Sequence, residues 1–165
     1  MTNETLRQKL TEKFGDLVYN FTEPYGMLTF ETVSDNNLKV LTWLHDDAEM
    51  GYTFLTDLTA VHYPDETGRE LAVVYMEQNI HTGSRDRLKV FTDISKADVY
   101  TASGVYATAN WLEREAYDFF GVNFVGHPNL IRIMNVEEMD YFPLRKEYKL
   151  EEQTRTDKDD DMFGR

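Results

Sequence analysis

Leu6, Leu10 and Phe14 recur at every fourth position, with Leu17 just beyond, and this spacing lays one apolar stripe along a helix over 3–14. Thr2 or Asn3 can cap its start, Glu4 favours the positive end of the dipole, and Gly15 suits the stop. Period-two alternation then takes over. Over 27–33, Leu28, Phe30 and Thr32 share one face of a strand, and Thr29 and Glu31 share the other. Helical spacing returns in Leu38, Leu41, Leu44 and Ala48, behind a cap at Ser34 or Asp35. Asp46-Asp47 oppose the negative end of the dipole, so this helix is expected to finish by His45.

Three further strands are predicted. Residues 52–63 are apolar and run into the turn Pro64-Asp65-Glu66-Thr67-Gly68. The run ELAVVYM over 70–76 is apolar on both faces, as in a central strand covered from both sides. Residues 87–92 alternate Leu88 and Val90 against Arg87 and Lys89, a half-exposed pattern, and the polar stretch 81–86 is long enough to close a hairpin. A third helix is predicted over 105–120, about 24 Å long at ~1.5 Å per residue. Its core stripe is Ala109, Leu112, Ala116 and Phe119, and Gly121 fits the left-handed terminating position. Helix, strand, helix and then a run of strands predicts an α+β fold. A mixed or antiparallel sheet layered with helices is preferred over a doubly wound parallel sheet.

After Gly121 the regularity fades. Residues 122–150 hold Phe124, Ile131, Ile133, Met134, Val136, Tyr141, Phe142 and Leu144, among other apolar side chains, at neither a helical nor a strand period. Pro128 and Pro143 interrupt both. Ordering so long a segment costs more conformational entropy than burying its own side chains on its own domain returns. Either the segment wraps back over the sheet as an irregular layer, or it docks along a partner subunit; the second reading is preferred. Residues 154–161 are polar and end in Asp159-Asp160-Asp161. The expected organisation is an α+β domain over 1–121, an extended, irregular C-terminal arm that binds a partner over 122–150, and an acidic mobile tail over 151–165.

Length and charge narrow the function classes. At 165 residues the chain fits one domain with an extension. A formal net charge of −13 repels phosphate backbones and anionic headgroups, which argues against nucleic acid as a partner. No stretch approaches the ~18 consecutive apolar residues of a membrane helix, so membrane association is expected to be indirect. The N-terminus carries neither a secretory signal nor a transit-peptide pattern. There is no cysteine, which excludes disulfides, cysteine-ligated iron–sulfur clusters and zinc ribbons within these 165 residues. A cytoplasmic protein without a cofactor of its own is expected.

Glu113-Arg114-Glu115 with Asp118 is the densest charge group. Glu115 and Asp118 lie three apart on one helix face, Arg114 and Asp118 four apart. Paired carboxylates can perform acid–base work or hold a divalent ion; the favoured reading is a salt-bridged face in which Arg114 neutralises whichever acid is packed away. His45, His62, His81 and His127 show no metal-ligand spacing. His127-Pro128 after Gly126 reads as a turn, with His127 as an interface donor. Arg132 and Arg145-Lys146 are the basic features of the apolar segment, suited to interfacial ion pairs or to pairing with Glu137, Glu138 or Glu147. Motifs for nucleotide phosphates, serine hydrolases and zincins are absent.

One pattern resembles a known family. Trp111, Glu113-Arg114-Glu115, Asp118-Phe119-Phe120-Gly121, His127-Pro128, Arg132-Ile133 and Pro143-Leu144-Arg145-Lys146-Glu147-Tyr148 stand at the spacing of the 30 kDa subunit of respiratory complex I, the C subunit of NADH:quinone oxidoreductase. Ile131 departs from a second basic residue usual there, and Tyr141-Phe142 from a Gly-His. The resemblance covers most of 25–150. It implies a structural subunit of the peripheral arm of a proton-translocating complex, on the cytoplasmic face of the bacterial inner membrane. It also implies tight binding to the large subunit that helps form the quinone pocket, with flavin, iron–sulfur clusters and quinone carried by partners. Catalytic, cofactor and metal residues are then expected to be none, and Trp111, Glu113, Arg114, Glu115, Asp118, Phe120, His127, Pro128, Arg132, Pro143, Arg145 and Lys146 are expected to form the interface or its framework. The alternatives are the equivalent subunit of a membrane-bound hydrogenase or ferredoxin-fed dehydrogenase, and a free-standing acid–base or metal enzyme using Glu115 and Asp118.

Overall fold

The computed structural model describes residues 2–148, so the tail expected over 151–165 and the last two residues of the arm lie outside it. The opening helix forms as its spacing predicts. α1 (Asn3–Phe14) is capped by Thr2, whose hydroxyl accepts from the Thr5 amide, and ends at Gly15 with φ 54°. Leu6 and Leu10 are buried, and Phe14 meets the edge of Trp43 at 5.4 Å.

The remaining elements are β1 (Tyr19–Thr22), β2 (Leu28–Val33), α2 (Asn37–Asp46), β3 (Phe54–His62), β4 (Leu71–Gln78), β5 (Arg85–Thr92), β6 (Asp98–Tyr100), α3 (Ala109–Phe120) and β7 (Asn123–Val125). Five strands form one sheet in the order β1-β2-β5-β4-β3, with β2 and β5 parallel and the other neighbours antiparallel. The sheet is therefore mixed, and the fold is α+β. β6 and β7 make a separate parallel pair. β4 is buried from Leu71 through Tyr75, as its two apolar faces require. On one face Leu71, Val73 and Tyr75 join Leu6, Leu10, Val40, Leu41 and Leu44 in the core. On the other face, Arg69 lies 3.8 Å over the ring of the buried Phe91.

The structure departs from the sequence reading in several places. α2 starts at Asn37 behind Asn36, later than a cap at Ser34 or Asp35 would place it, because the Asn36 amide closes a turn onto the Val33 carbonyl. Its buried stripe is Asn37, Val40, Leu41 and Leu44, while Leu38 is exposed and Ala48 lies beyond the helix. Asn37 is drawn inward because its amide donates to the Tyr100 carbonyl at 2.7 Å. α3 starts at Ala109 and not at Val105, since residues 102–108 are held in turns by Val105 and Tyr106 amides donating to the Ala102 carbonyl. The short strands β1, β6 and β7 carried too few residues for a period to show. β7 extends regular structure to Val125, inside the stretch assigned to the arm.

Candidate protein interface

α3 positions the charged signature. Ala109 and Ala116 are buried as predicted, but Leu112 and Phe119 are half-buried, and Glu113, Arg114 and Asp118 share the buried face. A 12-residue helix that buries three ionisable side chains needs partners for each, and residues 126–148 supply most of them.

Asp118 is fully buried and accepts from five donors. Its Oδ2 takes the consecutive amides of Ile133, Met134 and Asn135 at 3.0, 2.7 and 2.9 Å. Its Oδ1 takes Arg132 Nη1 at 2.7 Å and Asn135 Nδ2 at 3.0 Å. Three successive N–H groups aimed at one oxygen form an anion nest. Burial raises the Asp118 pKa, but the Asn135 and Met134 amides and Arg132 outweigh it and hold the carboxyl well below the ordinary carboxylate range.

The carbonyl end of α3 is sealed by the same segment. A helix leaves its last four carbonyls without partners and carries partial negative charge there. Here the Gly121 amide donates to the Tyr117 carbonyl at 2.8 Å, and Arg132 Nη1 to that of Asp118 at 2.8 Å. The Leu144 amide donates to that of Phe119 at 3.2 Å, and Arg145 Nε to that of Phe120 at 2.7 Å. Two of the four caps are guanidinium groups. Arg132 Nη2 also donates to the Met139 and Tyr141 carbonyls at 2.8 and 3.1 Å. The half-buried Phe142 ring receives both cations, with the Arg132 and Arg145 Cζ atoms at 5.1 and 4.6 Å from its centroid. Gly121 lets this ring approach. Its φ is +73°, and a Cβ there would stand 2.5 Å from Phe142 Cε2.

At the other end of α3, Glu113 is fully buried and accepts from the Ala102 amide at 2.6 Å and the Thr101 hydroxyl at 2.5 Å. Burial, opposed by those hydrogen bonds, pushes its pKa up to about 7. His127 Nε2 lies 3.9 Å from Glu113 Oε2 and 3.0 Å from the Asn110 carbonyl, while its Nδ1 accepts the Asn129 amide at 3.0 Å. A carbonyl only accepts, so Nε2 carries the proton. Both ring nitrogens are thus occupied within the chain, and the side chain is buried, which corrects the expectation of His127 as an interface donor.

Arg114 does not neutralise a buried acid either. Its Nε donates to the Ile131 carbonyl at 3.3 Å and its Cζ lies 4.8 Å from the Trp111 ring. Arg132 takes the role foreseen for Arg114 and pairs with Asp118, not with Glu137 or Glu138, while Arg145 Nη1 stands 3.9 Å from Glu147. The Lys146 amide donates to His62 Nδ1 at 2.9 Å and pins the arm to the end of β3. Pro128 is exposed, and Pro143 and Phe120 are half-buried.

Glu115 is exposed while Asp118 is saturated with donors, so the two do not form an acid–base pair. Among the described residues no group of three or more His, Asp or Glu could hold a metal ion. The sequence marked Phe142 only as an apolar residue and a departure from the family pattern, and gave no signal for Asn135. The junction leaves apolar side chains exposed among the charges of Glu137, Glu138 and Glu147: Met134, Val136 and Trp111 are 67, 64 and 62% exposed, with Ile131, Tyr141, Leu144 and Tyr148 also exposed.

These features define an α+β mixed-sheet domain whose last helix is sealed by an irregular segment that leaves several apolar side chains exposed. The family described as "Respiratory-chain NADH dehydrogenase, 30 Kd subunit" matches residues 30–154, and the chain belongs to it. Its relatives include the NADH-quinone oxidoreductase C subunit of Citrifermentans bemidjiense, 38% identical over 145 residues, covering 87% of each chain. The counterpart in Maricaulis maris is 41% identical over 76% of this chain, and one from Rhizobium meliloti is 37% identical over 88%. The chain spans 71% of the Rhizobium protein's length and 62% of the Maricaulis protein's. Among solved structures, a trypsin-resistant fragment (1–134) of Nqo5 superposes with a TM-score of 0.68 at 27% identity, covering 79% of this chain and all of that one. A chain of an archaeal membrane-bound sulfane sulfur reductase shares the fold, with a TM-score of 0.74 at 24% identity over 89% of this chain and 85% of that one.

Proposed function

We propose that this chain is a non-catalytic structural subunit of the peripheral arm of a proton-translocating NADH:quinone oxidoreductase. Its arm docks on the large subunit that forms the quinone pocket. Electron transfer from NADH to quinone runs through flavin and iron–sulfur clusters in neighbouring subunits, and this chain holds those neighbours in place. Its seat is peripheral, on the cytoplasmic face of the inner membrane; no helix of the described residues is long and apolar enough to cross a bilayer.

The observation that carries this reading is the outer surface of the α3 junction. Met134, Val136 and Trp111 stand out to solvent on backbone and helix that Asp118, Arg132 and Arg145 hold in one arrangement. A preorganised apolar surface loses little entropy on docking, and such patches mark protein interfaces. The names of the relatives and the lack of cysteine in the sequence support the same reading.

The test is co-purification from native membranes with a tagged chain carrying Met134→Glu and Val136→Glu. The exposed sites tolerate both changes, so circular dichroism and melting should stay near those of the unaltered chain. The large subunit should be lost from the eluate, and membrane NADH:quinone activity should fall with it. Undiminished recovery of the large subunit and full activity would overturn the proposal.

A further inference from the structure

The sheet carries two carboxyl groups in an apolar row. On the face that meets the helices, Leu28, Asp86, Glu77 and Leu55 stand side by side, because Leu28 pairs with Asp86, Asp86 with Glu77, and Glu77 with Leu55. Leu28, Asp86 and Glu77 are 0% exposed and Leu55 is 2%. The next row on that face is Phe30, Leu88, Tyr75 and Leu58. None of the four carboxyl oxygens meets a hydrogen-bond donor from another side chain of the described residues outside the pair.

Two ionised carboxylates cannot coexist in that setting. Each buried charge needs a partner, and two like charges at adjacent positions oppose one another's ionisation. A single proton removes both difficulties. It neutralises one group and turns the contact between two acceptors into a charge-assisted hydrogen bond.

We propose that Glu77 and Asp86 form a proton-binding site, a carboxyl–carboxylate pair that shares a proton in the folded chain and makes its stability respond to pH through neutrality. Glu77 supplies the donor: burial first, then the charge of Asp86, push it well above the ordinary carboxylate range. Burial pushes Asp86 up to about 7, opposed by the hydrogen bond from Glu77. The two titrate as a unit.

Tyrosines face the pair from three elements. Tyr75 comes from β4, Tyr52 from the lead-in to β3, and Tyr106 from the lead-in to α3; burial raises all three, and the charge of Glu77 adds to each. Beyond them, Glu113 of α3 acts on Tyr75 and Asp46 of α2 acts on Tyr106. The Tyr106 hydroxyl donates to the Tyr52 carbonyl at 2.8 Å, so full ionisation of the pair sets charge beside the bond that ties the start of α3 to the sheet.

Both carboxyls are raised above their ordinary values of 4.5 and 3.8. Their contribution to stability is therefore fully present below those values and is lost as pH rises through about 7 and beyond. For each proton released, the folding constant falls by up to about tenfold per pH unit.

Urea unfolding of the full chain between about pH 5 and about pH 8 reads this slope. Glu77→Gln places a permanent donor against Asp86; it should remove about one proton's worth of slope and exceed the unaltered chain at the alkaline end. Glu113→Gln, measured alongside, separates the contribution of Glu113, which has the same sign. A Glu77→Gln slope equal to that of the unaltered chain would overturn the proposal. Carbon NMR of the unaltered chain needs no variant to fold: the Glu77 and Asp86 carboxyl carbons should titrate near or above neutrality, and titration at ordinary carboxylate values would reject the site. Magnesium or calcium that stabilises the unaltered chain at alkaline pH, but not Glu77→Gln, would assign the pair to a cation and reject the shared proton.

Discussion

Asp118 and Arg132 are joined at 2.7 Å although they stand 14 positions apart, and the same guanidinium caps the Asp118 carbonyl. One contact therefore satisfies a buried acid, closes the end of α3 and anchors the arm.

Removing Arg132 leaves the buried Asp118 carboxylate with amide donors alone, and removing the Asp118 charge leaves the Arg132 guanidinium with carbonyls alone. Asp118→Asn and Arg132→Ala are each expected to cost about 3–5 kcal/mol, the range for breaking a buried pair. Hydrogen exchange should show the Ile133, Met134 and Asn135 amides losing protection first in Asp118→Asn. Protection unchanged at those three amides would contradict this role.

Gly121→Ala tests the seat of Phe142. A left-handed φ alone costs a non-glycine residue about 1 kcal/mol or more, and the added Cβ meets the Phe142 ring at 2.5 Å. Phe142→Ala should relieve part of that loss. The double variant is expected to be more stable than the sum of the two single changes, read from urea midpoints.

Acid and alkali should weaken the junction at opposite ends of α3. Asp118 is depressed below its ordinary 3.8, so its contribution is present above that value and disappears as pH falls below it. Glu113 is raised from 4.5 to about 7; its contribution is present below 4.5 and is lost as pH rises through about 7. That shift corresponds to roughly 3 kcal/mol at most. Glu113→Gln should flatten the alkaline limb of a stability–pH curve and leave the acid limb untouched.

Trp111→Ala separates docking from folding. The ring is 62% exposed and stacks against Arg114, so chain stability should change by about 1 kcal/mol or less. Affinity for the partner surface should fall by about 2 kcal/mol if this tryptophan anchors it. Binding of the purified partner by titration calorimetry gives the number.

Period and punctuation along the chain determined much of this molecule. The 3.6-residue spacing of Leu6, Leu10 and Phe14, the alternation through β2 and β5, the two apolar faces of β4 and the glycines after α1 and α3 are local signals. Backbone sterics and the burial of one face read such signals within a few residues, and the Trp111–Tyr148 signature carried the family as well. Tertiary structure alone decided which charges went inside and what met them. Asp118 finds Arg132, Lys146 reaches His62 across 84 positions, and Glu77 faces Asp86, because chain reversals bring distant residues together. Local periodicity holds no record of such pairings. A buried ionisable group is tolerated only where the finished fold supplies its partner, so its place is settled after the elements have packed.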